Sequence, residues 1–307
     1  MACAMPVASD CSCRSRYLLE KPRVCSHLPH ERNYHALYMM LKLEDEERGL
    51  QLPSADWKQY AVLFQEHTSP PHALHSWNDA EEMRTVHDAL TPDSLGFSQG
   101  DRRDLYKILS LVLLLGNVRF GGGREICAGG TELKLAAGHM GVDVDGPNGL
   151  VHVLSHRTLK RGEETYQVEA NPAAGLASML MHMYSLAFGW VVSKTNEAFA
   201  TSQPVARHIG VLDIFGFENF EGANGINSHA QLCINFANES LHHLFIKLAL
   251  EIEKSIYKAE GFDLGSSLDD DNDNTHILES APSHAVILRI TRVLCGSVRP
   301  LLAMQDY

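Results

Sequence analysis

The sequence predicts a helix-dominated α/β fold, and three stretches carry that expectation. Ile209, Val211, Leu212 and Ile214 form a short, apolar, largely β-branched run, the pattern of a buried strand. From Ala230 to Glu260, Leu241, Leu244, Phe245, Leu248, Ile252 and Ile256 recur at spacings of three and four. That period predicts one helix about 45 Å long at 1.5 Å per residue, with an apolar stripe along one face. The third stretch, DRRDLYKILSLVLLLGNVRF, places Leu105, Ile108, Leu109, Val112 and Leu115 on one face, and its other leucines make it apolar nearly all round. A helix of that kind belongs in a core.

In chain order, Met1 to Arg16 reads as an unstructured start, and Tyr17 to Val24 as a strand. A turn at Pro29 precedes a helix burying Leu37, Tyr38 and Leu41, with His35 a packed core histidine. Glu44 to Glu66 is charged and predicted helical, and the Pro70-Pro71 region is a loop. Asn78 or Asp79 can cap the next helix. Gly121 to Gly123 is a flexible connection, since no G-K-S/T follows it, and Glu132 to Met140 is a short helix. Leu150 to Tyr166 is the most basic local stretch and reads as a solvated loop. Leu176 to Phe199 is a helix turning Leu180, Met183, Tyr184, Phe188 and Val191 inward. Past Phe262 the run Asp269 to Asp273 lacks the Gly and Glu of a calcium loop and reads as an acidic linker before a final helix, Ala285 to Tyr307.

The 307 residues carry a net charge of −12 and a 45% hydrophobic content, enough apolar material for a real core. The acidity argues against non-specific binding to nucleic acid or anionic membranes. No run suggests a membrane span, and no apolar signal region opens the chain. Seven cysteines without paired spacing suit reduced thiols in the cytoplasm.

Asp213-Ile214-Phe215-Gly216 stands at the C-terminal end of the predicted strand. A D-x-x-G there suits nucleotide chemistry: the Asp can steer Mg²⁺, and the Gly lets a backbone N–H approach a γ-phosphate. Four residues recur by chance, and a buried strand ending in a turn fits equally well.

The surrounding residues resemble the myosin motor domain. Its switch II, L-D-I-x-G-F-E, is matched by Leu212 to Glu218, and its N-S-F-E-Q-L-C-I-N by Asn227 to Asn235, with His229-Ala230 in place of Phe-Glu. The insertion-like Gly222 to Ile226 lengthens the connection between them. Tyr17 to Lys21 and Glu31 to His35 resemble Y-L-L-E-K and E-R-N-F-H, and Leu115 to Phe120 resembles L-G-N-I-x-F. Tyr184, Phe188 and Trp190 match a family helix, while Met181 and Gly189 depart from it and suggest a weakened one. The resemblance covers Tyr17 to Phe262.

It implies part of a P-loop NTPase-type head: the upper helical region, a few central-sheet strands and the relay helix. The parent activity implied is ATP hydrolysis coupled to movement on actin filaments, in the cytoplasm. Asp213 would hold Mg²⁺ through water, Gly216 would sense the γ-phosphate, and Glu218 would help enclose the attacking water. Arg157, Lys160 and Arg161 would meet acidic side chains of actin. Yet the sequence contains no G-x-x-x-x-G-K-S/T, and MACAMPVASDCSCRSR stands where the family's switch I N-x-x-S-S-R is expected. The chain alone is therefore expected to lack ATPase activity and to bind neither ATP nor Mg²⁺ tightly. A non-enzymatic actin-binding scaffold is the alternative.

Overall fold

The computed structural model describes residues 2–8, 11–12, 15–17, 19–27, 31–65, 77–122, 125–161, 164–200, 210–213, 216–219, 227 and 229–262. Pro29, the Pro70-Pro71 loop, Ile209, Ile214, Gly222 to Ile226, the acidic run and the final predicted helix lie outside them. The chain divides into two compact units, Ala4–Val211 and Leu212–Tyr307 with Met1–Cys3.

The larger unit is built on two long helices. Helix α4 (Gln99–Gly116) begins with a capping box, in which the Ser98 hydroxyl accepts from the Asp101 N–H and the Asp101 carboxylate accepts from the Ser98 N–H. Leu105, Tyr106, Leu109 and all of Leu111 to Leu115 are buried, as an all-round apolar helix requires. Helix α7 (Pro172–Ala198) packs against α4 through Leu176, Leu180, Tyr184 and Ala187. It runs unbroken through Met181 and Gly189. By length and composition α7 also qualifies as a membrane span, which the sequence was not expected to contain. Its buried face packs against α4, and 28% of its most apolar window is buried.

The shorter helices complete the cover. They are α1 (His35–Met39), α2 (Asp45–Arg48), α3 (Asp79–Ala89, capped by Asn78), α5 (Gly130–Met140) and α6 (Leu150–Ser155). Glu44 to Gln65 is mostly turn rather than helix. Gly49, in the left-handed region at φ 68°, ends α2 after one turn. Leu50, Leu52, Tyr60, Val62 and Leu63 then enter the core from irregular backbone.

Strands are few and short. The opening stretch, expected to be unstructured, contains β1 (Ala2–Ala8) and β2 (Cys11–Ser12), paired antiparallel, and β3 (Ser15–Tyr17) extends their sheet. The strand expected to reach Val24 stops at Tyr17, and Pro22 opens a 3₁₀ turn over Lys21–Val24 instead. Proline has the φ of a helical first turn and no N–H for a ladder. Strands β4 (Arg119–Phe120) with β5 (Ile126–Ala128), and β6 (His156–Arg161) with β7 (Glu164–Glu169), form antiparallel pairs.

The residues Glu20 to Asn33 turn out to be a fastening. Asn33 donates to the Val24 and Val62 carbonyls at 3.1 and 2.8 Å. Arg32 reaches both Asp79 oxygens, at 3.2 and 2.9 Å, and lies over the Tyr38 ring at 4.0 Å. The two charged side chains are 2% and 5% exposed. His35 is not in the core. It sits at the surface with its ring 4.5 Å from that of Trp77.

The smaller unit contains Leu212-Asp213, the end of β8 (Gly210–Asp213), and a helical rod. The predicted single helix is instead α8 (His229–Phe245), a π-helical turn over Ile246–Glu251, and α9 (Ile252–Ala259). Its apolar stripe is not packed away: Leu244, Phe245, Leu248, Ile252 and Ile256 are all exposed.

Candidate functional site

The site is the loop that follows β8 and the first turns of α8. β8 ends at Asp213. Gly216 to Asn219 has no regular hydrogen-bond ladder, so its backbone groups need other partners. The helix supplies them from Asn235 and Asn238, and Gln231 on the same face reaches the Glu218 carboxylate; the three lie four and three residues apart.

Asn235 makes a two-point clamp. Its Oδ1 accepts from the Glu218 N–H at 2.7 Å, and its Nδ2 donates to the Glu218 carbonyl at 2.7 Å. Asn238 Nδ2 donates to the Gly216 carbonyl at 2.9 Å and to the Ile234 carbonyl at 3.0 Å. Gln231 Nε2 donates to Glu218 Oε2 at 3.3 Å, and Asn227 Nδ2 donates to Asn219 Oδ1 at 3.1 Å. An amide offers a donor and an acceptor on one rigid plane, which is what a peptide unit presents in return. The loop is thereby fixed to the helix through backbone groups as well as side chains.

Gly216 faces open space: a Cβ built there meets no atom within 4 Å. Glu218 is half-buried and Phe217 is exposed. The structure thus brings Gly216 and Glu218 together on one helix face and leaves one side of Gly216 clear. Gln231 and Asn235 lie within the motif that carries the family resemblance, but the sequence reading assigns the clamp residues no partner. Amides at i, i+4 and i+7 on one helix face were the available signal.

The second candidate region is the basic stretch. It is a β-hairpin, not a loop, with Arg157 paired to Val168, Leu159 to Tyr166, Lys160 to Thr165 and Arg161 to Glu164. Side chains alternate along a strand, so Arg157 and Lys160 point to opposite faces. They do not form one cluster. At the root, His152 and His156 stack with centroids 3.8 Å apart, and Gly175 passes so close that a Cβ would lie 2.3 Å from the Leu154 carbonyl oxygen.

The "Myosin head (motor domain)" family model matches residues 7–288. The chain belongs to the myosin head family. It is 35% identical over 262 residues to Myosin-1 of Laccaria bicolor, covering 80% of this chain and 20% of that protein. Unconventional myosin-Ia of Rattus norvegicus is 34% identical over 259 residues, covering 80% and 29%. Myosin-K heavy chain of Dictyostelium discoideum is 33% identical over 254 residues, covering 80% and 28%. The chain therefore spans between a fifth and under a third of the length of these myosins. The matched span begins ahead of Tyr17 and ends beyond Phe262. The helix-rich architecture with short antiparallel strands agrees with a part of that motor fold.

Proposed function

We propose that this chain is the switch-loop and relay-helix portion of an actin-based, ATP-driven motor head. The observation that supports it best is the Asn235–Glu218 clamp, in which one helix holds the loop by both its N–H and its C=O. A displacement of Gly216 to Glu218 is then transmitted to α8 without a slack joint.

In this reading Asp213 would supply a hard carboxylate oxygen suited to Mg²⁺, and the ion would neutralise charge developing during phosphoryl transfer. Gly216, having no side chain to stand in the way, would let its N–H approach a γ-phosphate. Glu218, held by Gln231, encloses the attacking water. Arg157, Lys160 and Arg161 meet acidic actin side chains from a hairpin in which Arg157 and Lys160 face opposite ways, so they act as separate contacts whose strength falls with salt. The chain has no G-x-x-x-x-G-K-S/T, and hence no Lys or Gly-rich cradle for the phosphates. That absence favours a second reading for the chain by itself, an actin-binding scaffold without turnover.

Two assays separate these readings. The isolated chain is expected to hydrolyse no more ATP than its Glu218→Ala variant, with or without filaments. In a chimeric head carrying a P-loop, the same substitution is expected to abolish turnover. Equal turnover by both chimeras would overturn the motor reading, while salt-sensitive co-sedimentation with filaments and no turnover by either would support the scaffold.

A further inference from the structure

The last turn of α3 is joined to α4 through one imidazole. Arg102 on α4 places Nη1 3.0 Å from His87 Nε2, and the same nitrogen donates to the His87 carbonyl at 3.3 Å. Among the described residues these are the hydrogen bonds of the Arg102 side chain, and its Nε is buried without a partner. At the other edge of the ring, Tyr106 Oη stands 3.4 Å from Nδ1, with the two rings nearly parallel and 6.2 Å apart. Met83, His87 and Leu90 lie four and three residues apart on one face of the chain. Met83 and Leu90 enter the same core cluster as Tyr106, Phe97 and Leu105.

A guanidinium only donates, so the ring nitrogen facing it accepts. An imidazole with a free lone pair at Nε2 is neutral and carries its proton on Nδ1, which here points at Tyr106 Oη. Burial pushes the Tyr106 hydroxyl up to about 12, so the phenol keeps its proton and accepts with a lone pair. We propose that His87 is a proton-operated latch between α3 and α4, closed while its ring is neutral and opened when Nε2 takes a proton. Protonation turns the acceptor into a donor and sets a second cation 3.0 Å from Arg102. A helix C-terminus favours a cation, but Arg102 already donates to a carbonyl there.

The other ionisable groups nearby are placed as follows. Arg84 and Asp88 flank His87 on α3 itself. On α4, Asp101 is engaged by Ser98 and Lys194. Glu47 of α2 acts on Tyr106, and His35 of α1 feels Asp79 and Glu82 in the first turn of α3. Lys42 ends the 3₁₀ turn Met40–Lys42, which also packs on α3. Among the described residues the ring itself bonds Arg102 and Tyr106. Histidine is the side chain that ordinarily changes charge between about pH 5 and 8, so the latch is closed at the upper end of that window and open at the lower. The inference is independent of the motor reading, because no switch-loop or hairpin residue takes part.

The test follows hydrogen exchange of the full chain at about pH 7.5 and about pH 5.5, as protection factors corrected for the intrinsic pH dependence of exchange. Protection of the Val86 to Leu90 amides is expected to fall about tenfold at the lower pH, the size of one lost hydrogen bond to a charged group, while that of α5 holds. His87→Gln keeps an acceptor and cannot titrate, and is expected to stay protected at both values. His87→Lys carries a permanent cation, and is expected to show the low protection at both. A second measurement needs no substitution: the ring nitrogen NMR shifts of wild-type His87 at the upper pH are expected to report the Nδ1–H tautomer. No fall in the wild-type chain, the same fall in His87→Gln, full protection of His87→Lys at the upper pH, or a proton on Nε2 there would each overturn the latch.

Discussion

Helix α4 and the α8–α9 rod carry the same kind of sequence signal, and the fold treats them in opposite ways. Leu113 and Leu114 on α4 are fully buried, whereas Leu248 and Phe245 are more than half exposed. Both helices repeat apolar residues at the helical period. On α4 the repeat is met by α7, α5 and the irregular backbone around Leu63. On the rod, no described residue encloses the stripe. A hydrophobic period therefore states that a face needs a partner; whether the partner is present is decided elsewhere.

The strongest way to break the buried side of this comparison is to remove the carboxylate that neutralises Arg32. Asp79→Ala leaves a nearly inaccessible guanidinium without its ion pair. It is expected to cost about 3–5 kcal/mol, the range for an uncompensated buried charge. Urea denaturation of the full chain would measure it, and a loss below about 1 kcal/mol would show that water reaches Arg32.

The direct comparison is between two leucines. Leu113→Ala is expected to cost about 2–5 kcal/mol through lost burial and a residual cavity. Leu248→Ala, on the exposed stripe, is expected to cost less than about 0.5 kcal/mol by the rule for surface positions. Midpoints of chemical unfolding for both variants sharpen the contrast into a number. Equal losses would mean that the stripe is as well covered as α4.

Within the smaller unit, Asn235→Ala removes both hydrogen bonds that hold Glu218. The expected loss is about 1–3 kcal/mol, since two backbone groups lose their partners. Hydrogen exchange localises it: the Glu218 amide is expected to exchange faster while amides of α4 do not change. Uniform acceleration across the chain would show a global fault instead of a broken clamp.

The smallest effect is expected at the start of α4. Hydrogen bonds from the Ser98 N–H, then from its hydroxyl, and the nearby Lys194 ammonium hold the Asp101 carboxyl below its ordinary value. A carboxyl lowered on folding contributes stability that is present above its unfolded value, 3.8, and is lost as pH falls through the folded one. Stability of the wild-type chain should therefore decline slightly more below about pH 4 than that of Asp101→Asn. Identical acid limbs in the two unfolding curves would remove the contribution.

Much of the larger unit was legible in the sequence. The all-round apolar pattern gave α4 its burial, Asn78 gave α3 its cap, and the period of Leu176 to Phe199 gave α7. The short 3₁₀ turn at Lys21 and the irregular run to Gln65 were not legible. Pro22 and Gly49 act through single backbone dihedrals there, and charge along Glu44 to Glu66 suggested a helix that these dihedrals forbid. At the candidate site Gly216 and Glu218 stood out by motif. Asn235 stood in the motif too, but its partner was not legible, because an amide on a helix has no role until a loop backbone comes within 3 Å of it.

By itself, the sequence determined that α4 and α7 are helices, which faces are apolar, the membership of the myosin head family and the absence of a phosphate-binding lysine motif. Each is a property of neighbouring residues or of their order. Only the tertiary structure decided that Glu31 to Asn33 fastens a core, that Arg157 and Lys160 point apart, that Glu218 is held by Asn235, and that the rod's stripe lies open. Those outcomes depend on groups far apart in sequence meeting in space. Local periodicity constrains where a side chain points and leaves open what it meets.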